Sequence, residues 1–197
     1  MTRRRAAIIA AVLGASTLLA VPAVTGWHPR AQVLWNASAS APLGLYRLHV
    51  PGRLGRGDLV VFTPDPQWSD YMSARGYIAA DVPLLKRIAA LGGARVCRTG
   101  PVILIGGRPA ALARQSDAAG RPLPRWQGCR VLRGGEVFLL NPAPDSFDSR
   151  YFGPVDAARI IARACPVLTR PSAQDPLRWN RTAPPPSRNP AGDQPCA

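Results

Sequence analysis

The sequence predicts a single, mainly β domain. From Trp35 onward, the apolar residues come in short runs that glycine and proline interrupt. Runs of this length, enriched in β-branched residues, are typical of strands rather than helices. The chain has 197 residues, of which 47% are hydrophobic, enough for one well-buried domain but not for two large ones. We therefore expect one β domain with additional segments at its ends.

The strand runs follow one another along the domain, and helix is expected only in short pieces. Residues 69–80 and 156–165 are the two candidate helices. Asp58 is predicted to be a turn residue in front of its strand. The predicted strands are residues 43–50, 58–62, 84–91, 102–105 and 136–140.

The two ends of the chain differ in composition from the domain. Residues 1–5 contain three arginines, and residues 6–24 contain no charged residue. This pattern predicts a membrane anchor whose basic flank stays in the cytoplasm. A cleavable signal peptide is the alternative, since residues 21–23 resemble a small-residue cleavage site. Either segment would export the domain, so we divide the chain into residues 1–27, a folded domain at 28–165, and a tail.

The tail, residues 166–197, is rich in proline and arginine and includes three consecutive prolines at 184–186. Such a composition is typical of a segment that buries no core. We predict a disordered or extended tail.

The formal net charge of +14 raises the question of an acidic partner. The arginines are scattered, and no basic stripe with interleaved aromatic residues is present. A solvated basic surface therefore explains the charge, and no nucleic-acid partner is expected.

The four cysteines contain no C-x-x-C pair, and the two histidines, His28 and His49, are not at metal-ligand spacing to them. This argues against a zinc site. Among the three possible pairings we favour Cys97 with Cys129, which would stabilise the fold by about 3 to 4 kcal/mol. Buried free thiols remain the alternative until the compartment is known.

Lys86 is the single lysine of the chain, and it lies in an apolar run. In a strand, residues 84, 86 and 88 would share one face, so that the amine would project among aliphatic side chains. Desolvation would then favour the neutral amine, which can act as a base. A lysine at the edge of a core, with its amine reaching water, is the alternative.

Four blocks of sequence follow one another along the chain: NASASAPLGLY at 36–46, RGDLVVF at 56–62, LLKRI at 84–88 and DSFDSRYFGP at 145–154. In this order they resemble the serine/lysine peptidases of the signal peptidase type, peptidase family S26. Within that family they are similar to the conjugative-transfer maturation peptidases of the TraF type. Together they span about residues 35 to 155, whereas Gly92-Gly93 departs from the proline-glycine-aspartate that often follows the lysine in signal peptidases.

The resemblance implies a signal peptidase-like β-fold with an N-terminal hydrophobic helix and a Pro-rich C-terminal tail. It assigns Ser40 as the nucleophile and Lys86 as the base that takes its proton. The Ser38 hydroxyl would join the Ser40 backbone N–H in an oxyanion hole, although a serine at this position is also common turn chemistry. The supporting residues would be Ser146, which orients the lysine, and Asp148 with Arg150, a structural ion pair two residues apart on a strand.

The function that the resemblance implies is a serine endopeptidase of the bacterial inner membrane, with its catalytic domain in the periplasm and no cofactor or metal. Its substrate would be an exported precursor such as a conjugative pilin, and hydrolysis and cyclisation both remain open. A Ser-His-Asp triad is disfavoured, because His49 lies in a predicted strand without acidic context. The competing class is a non-enzymatic basic anchor protein that binds nucleic acid or acidic partners, whose DNA affinity would survive loss of Ser40.

Overall fold

The computed structural model describes residues 32–180 and Cys196. In this part of the chain the fold is mainly β, as predicted, and no helix is long and apolar enough to cross a membrane. The predicted membrane or signal segment, residues 1–27, lies outside the described residues.

Two antiparallel sheets make up the described domain, and each of the five predicted strand runs is a strand. The larger sheet has eight strands in the order β1-β2-β11-β3-β4-β9-β10, with β12 paired to β11. The smaller sheet has the order β7-β6-β5-β8. The strands are β1 Val33–Asn36, β2 Leu43–His49, β3 Leu59–Phe62, β4 Leu84–Leu91, β5 Arg95–Thr99, β6 Val102–Ile105, β7 Arg108–Leu112, β8 Gly128–Val131, β9 Glu136–Leu139, β10 Val155–Asp156, β11 Ile160–Arg170 and β12 Arg178–Trp179.

The centre of the larger sheet carries the lysine. Strand β3 is buried along its whole length and pairs with β4, so that Val60 lies opposite Lys86. Because side chains alternate along a strand, Lys86 shares its face with Leu84 and Ile88, as predicted. Both belong to the largest core cluster, which also holds Val60.

Two short helices accompany the sheets. Helix α1, Pro66–Ala74, begins with a proline in its first turn and buries Met72 against the core. It overlaps the predicted helix at 69–80 but ends earlier, since Gly76 follows it with a φ of 70°. Helix α2, Ser149–Phe152, is a single turn.

The prediction of a helix at residues 156–165 is wrong. Ala157–Arg159 form one 3₁₀ turn, and the chain then enters β11. This strand pairs with β2 on one side and β3 on the other. The hydrogen bonds and burial offered by two neighbouring strands outweigh the helix propensity of an alanine-rich segment.

The C-terminal boundary also differs from the prediction. Strand β11 runs past Pro166 to Arg170, and the proline sits where the register with β2 shifts, a place where its missing N–H is tolerated. Strand β12 then pairs with β11, and the Asn180 N–H donates to the Val167 carbonyl at 2.9 Å. Residues 166–170 and 178–179 therefore belong to the sheet rather than to a disordered tail, and residues 181–195 and 197 lie outside the described residues.

All four cysteines form disulfides. The predicted bond between Cys97 and Cys129 is confirmed: the two residues lie opposite each other on β5 and β8, with their Cα atoms 4.0 Å apart. The second bond joins Cys165 of β11 to Cys196. One disulfide thus cross-links two neighbouring strands of the smaller sheet, and the other attaches Cys196 to the larger sheet.

Candidate active site

Lys86 is buried in the core face of β4, with 4% of its surface exposed. Its Nζ donates a hydrogen bond to Ser146 Oγ at 2.9 Å, so the two side chains that the sequence pairs are in contact. Burial lowers the pKa of the Lys86 ammonium from 10.5 to about 8, the charge of Asp148 opposing this and that of Arg150 adding to it. The neutral amine is therefore much easier to form here than at the surface.

Asn141 holds the strand on both sides of the lysine. Its side-chain Oδ1 accepts from the Arg87 N–H at 3.0 Å, and its Nδ2 donates to the Leu85 carbonyl at 3.0 Å. The amide group thus takes the place of a neighbouring strand beside Lys86, where β9 has ended at Leu139. The sequence assigned Asn141 no role, because a single asparagine outside the four blocks carries no signal of this kind.

Asp148 and Arg150 form a fully buried ion pair. Arg150 donates through Nε to Asp148 Oδ1 at 2.8 Å and through Nη2 to Oδ2 at 3.0 Å. The predicted pair is present, but the prediction that both residues lie on a strand is wrong. Asp148 caps α2 by accepting from the Arg150 N–H at 3.1 Å, and Arg150 lies within that helix.

Asn141 joins the ion pair to β4, the strand that carries the lysine. The Asn141 N–H donates to Asp148 Oδ2 at 3.1 Å, and its carbonyl accepts from Arg150 Nη2 at 2.7 Å. Two buried hydrogen-bonded groups therefore meet at β4: Lys86 with Ser146, and Asn141 with Asp148 and Arg150. We call these five residues the lysine region.

Ser38 and Ser40 lie together in the turn before β2. Their hydroxyl oxygens are 3.0 Å apart, and the Ser40 N–H donates to Ser38 Oγ over a long 3.4 Å. The two predicted oxyanion donors are thus neighbours, but in this structure they contact each other. Ser38 is exposed and Ser40 is half-buried.

The turn is anchored by two side chains, Asn36 and Tyr46. Asn36 Nδ2 lies within hydrogen-bonding distance of the carbonyls of Ser38, Ala41 and Pro42, at 2.9 to 3.1 Å. The Tyr46 hydroxyl donates to the Pro42 carbonyl at 2.6 Å, and burial raises the pKa of Tyr46 to about 12. Both residues stand inside the first block, yet their roles as anchors were not predicted. We call residues 36–42 with Tyr46 the serine turn.

The structure therefore joins the predicted residues in three groups: Ser38 with Ser40, Lys86 with Ser146, and Asp148 with Arg150. Within residues 32–180 no hydrogen bond links Ser40 to Lys86. His49 is exposed at the end of β2, and Asp58 accepts from the Gly55 N–H at 2.8 Å in the predicted turn. The described residues contain no cluster of three side chains that could hold a metal ion.

Comparison with known proteins decides the family. The pattern described as "Signal peptidase, peptidase S26" matches residues 5–168. This chain belongs to the S26 peptidase family.

Relatives within the S26 family carry names from plasmid transfer. "Probable conjugal transfer protein TraF" of Sinorhizobium fredii is 36% identical over 180 residues, which cover 85% of this chain and 93% of the relative. "Plasmid transfer protein TraF" of Escherichia coli is 37% identical over 147 residues, covering 68% and 81%. A signal peptidase I from Enterococcus faecalis, 20% identical, superposes with a TM-score of 0.35 over 58% of this chain and 98% of its own.

Proposed function

We propose that this S26 family member is a serine endopeptidase in which Ser40 is the nucleophile and Lys86 the general base. The observation that carries the proposal is the burial of the single lysine, which lowers its pKa to about 8 and fixes its amine on Ser146. A base of this kind needs a neutral amine near the operating pH, and desolvation supplies it.

In the proposed reaction, the Ser40 hydroxyl gives its proton to Lys86 Nζ as its oxygen attacks the carbonyl carbon of the scissile bond. The oxyanion then accepts from the Ser40 N–H and the Ser38 hydroxyl, which must exchange their present contact for the substrate oxygen. The Lys86 ammonium returns the proton to the leaving amine. An acyl-enzyme on Ser40 remains.

The acyl-enzyme is resolved by a second nucleophile. Water would give hydrolysis, whereas an amine at the terminus of the same substrate chain would give a cyclic product. In either case Lys86 accepts the proton of the attacking group and returns it to Ser40 Oγ. The proposal requires that substrate brings Ser40 Oγ within reach of Nζ, since catalytic hydrogen bonds are often long before substrate binds.

The proposed substrate is an exported precursor protein of a conjugative transfer apparatus, such as a pilin. This rests on the names of the TraF relatives and on their coverage of most of this chain. We further propose that the chain is attached to the inner membrane, with its catalytic domain in the periplasm. Two disulfides in the described domain support an oxidising compartment.

The test is co-expression with candidate pilin precursors from the same transfer region, with product masses read by mass spectrometry. Ser40→Ala should leave a folded protein that produces no processed precursor. Ser116→Ala, a serine outside the lysine region and the serine turn, is the matched control and should process normally. Processing by the Ser40→Ala protein at the wild-type rate would overturn the proposal.

A further inference from the structure

A cavity of about 100 Å³ lies outside the candidate active site, beside strand β5 of the smaller sheet. Two arginines, Arg98 and Arg125, and two glutamines, Gln115 and Gln127, contribute its polar lining. The other lining residues are uncharged, so the cavity carries two positive charges and no carboxylate.

Arg98 is the buried member of this group, with 2% of its surface exposed. Its Nε donates to the Gly100 carbonyl at 3.2 Å, and its Nη1 donates to the carbonyls of Pro124 and Arg150 at 3.4 and 2.7 Å. All these partners are neutral, and within residues 32–180 Nη2 donates to no protein atom. The guanidinium is therefore buried without an opposite charge, and one of its nitrogens remains available to a ligand.

Arg125 adds to the excess of positive charge. Burial lowers the pKa of Arg98, and the charge of the neighbouring Arg125 lowers it further. Like charges at one cavity repel each other, and an anion held by both arginines would relieve this repulsion. The arrangement is the reverse of the Asp148–Arg150 pair, where the carboxylate is supplied by the protein.

We propose that this cavity binds one small oxyanion, of the class of phosphate, sulfate or a carboxylate group, between Arg98 and Arg125. The volume is sufficient: about 100 Å³ is several times the roughly 10–15 Å³ that a cavity needs to hold one water molecule, which leaves room for one such anion. Guanidinium groups form strong charge-assisted hydrogen bonds to these oxygens, and the two glutamine amides add neutral donors.

The position of the cavity gives the anion a structural consequence. Arg98 Nη1 contacts the Arg150 carbonyl, and the Arg150 side chain holds Asp148. An anion on Arg98 would thus fix a guanidinium that supports the backbone of α2. The bound anion stabilises the folded chain, whether it is free in solution or part of a larger molecule.

The test is thermal unfolding of the full chain in sodium phosphate against sodium chloride of equal ionic strength. At ten times its Kd, phosphate shifts the folding equilibrium about 11-fold, which raises the Tm by a few degrees. Sodium acetate is a second arm: a response to acetate equal to that of phosphate identifies a carboxylate site, and a weaker one identifies a phosphate site. Equal Tm values in phosphate, acetate and chloride would overturn the proposal.

Variants make the test specific to the cavity without removing the buried Arg98. Arg125→Gln should lose the phosphate response, and Gln115→Glu, which places a carboxylate at the cavity, should raise the Tm in chloride and lose the response as well. Arg108→Gln, an exposed arginine of β7 outside the cavity lining, is the control and should keep it. An undiminished response in Arg125→Gln would also overturn the proposal.

Discussion

The lysine region and the serine turn are held by different means. In the lysine region every member is buried, and Asp148 and Arg150 are 0% and 2% exposed. In the serine turn Ser38 is exposed and Ser40 half-buried, and the buried residues are Ala41 and the anchors Asn36 and Tyr46. The base is thus enclosed by the core. The nucleophile lies in a turn that buried side chains anchor, and its hydroxyl remains accessible to solvent.

This difference matches what each group has to do in the proposed reaction. A lysine becomes a base at neutral pH only if its ammonium is desolvated, so it has to be buried. A serine that attacks a protein substrate has to be reached from outside, so its hydroxyl has to be accessible. The low dielectric around Lys86 tunes its pKa, while the hydrogen bonds of Asn36 fix the geometry of the serine turn without enclosing it.

Replacing the base should produce the largest effect. We expect Lys86→Met to lower the rate of precursor processing by at least about 10³-fold, the upper part of the range for general-base catalysis. Methionine has nearly the length of lysine and suits an apolar site, so the protein should remain folded. Processing is measured by the mass of the product.

The matched control for this variant is Arg87→Met, which changes the neighbouring residue on the opposite, more exposed face of β4. It should retain most of the processing rate. Rates for Lys86→Met close to those of wild type would remove the lysine region from the reaction and leave it a purely structural group.

The sequence predicted these two regions unequally. The short apolar runs located β2, β3, β4, β6 and β9 because local periodicity is enough for buried strands. The same periodicity placed Lys86 correctly on a core face of its strand. It did not predict β11, whose alanine-rich start is a strand only because β2 and β3 flank it. Asn36 contacts carbonyls of the turn that follows it, and Asn141 contacts backbone groups of β4, which is distant in sequence. Because the partners of both side chains are backbone atoms, the spacing of residue types did not predict these roles.

Breaking the buried ion pair should be the largest effect on stability. Asp148→Asn leaves the Arg150 guanidinium buried without its opposite charge, and we expect a loss of about 3 to 5 kcal/mol in the free energy of unfolding. Urea denaturation measures it. Glu136→Gln is the control, since it breaks the more exposed pair with Arg130 and should cost about 1 kcal/mol or less. An equal loss in the free energy of unfolding for the two variants would contradict the prediction that breaking the buried pair is more destabilising than breaking the exposed one.

The pH dependence of stability separates the lysine region from the serine turn. The pKa of Lys86 is lowered to about 8 in the folded protein, while in the unfolded chain it is near 10.5. Below pH 8 both states hold the proton and the cost of burying it is fully present. Between pH 8 and 10.5 the unfolded chain holds more protons, so this contribution to stability increases with pH. We expect a gain of the order of 3 kcal/mol across this window.

The Lys86→Met protein provides the comparison, because all other titrating groups are retained. The stability difference between wild type and variant, measured by urea denaturation from pH 7 to 10.5, should change in favour of wild type as pH rises. Ser40→Ala should follow the wild-type curve, since it keeps Lys86, Tyr46 and every other titrating group. A constant difference between wild type and Lys86→Met would mean that the lysine is not desolvated.

The smallest expected effect comes from loosening the serine turn. Asn36→Ala removes the amide that contacts three carbonyls of the turn, so that Ser38 and Ser40 lose their fixed geometry. Because misplacing a reacting group by about 1 Å can cost about 100-fold, we expect kcat/KM to fall about 10- to 100-fold. The reactivity of the Lys86 amine towards an acylating reagent, followed against pH, should be unchanged, since the lysine region is untouched.

Asn141→Ala is the matched variant in the lysine region. It should change the titration of Lys86, because the amide that holds Leu85 and Arg87 is gone. If Asn36→Ala altered the titration of Lys86 as much as Asn141→Ala does, the two regions would not be independent, and the separation between an enclosed base and an open nucleophile would fail.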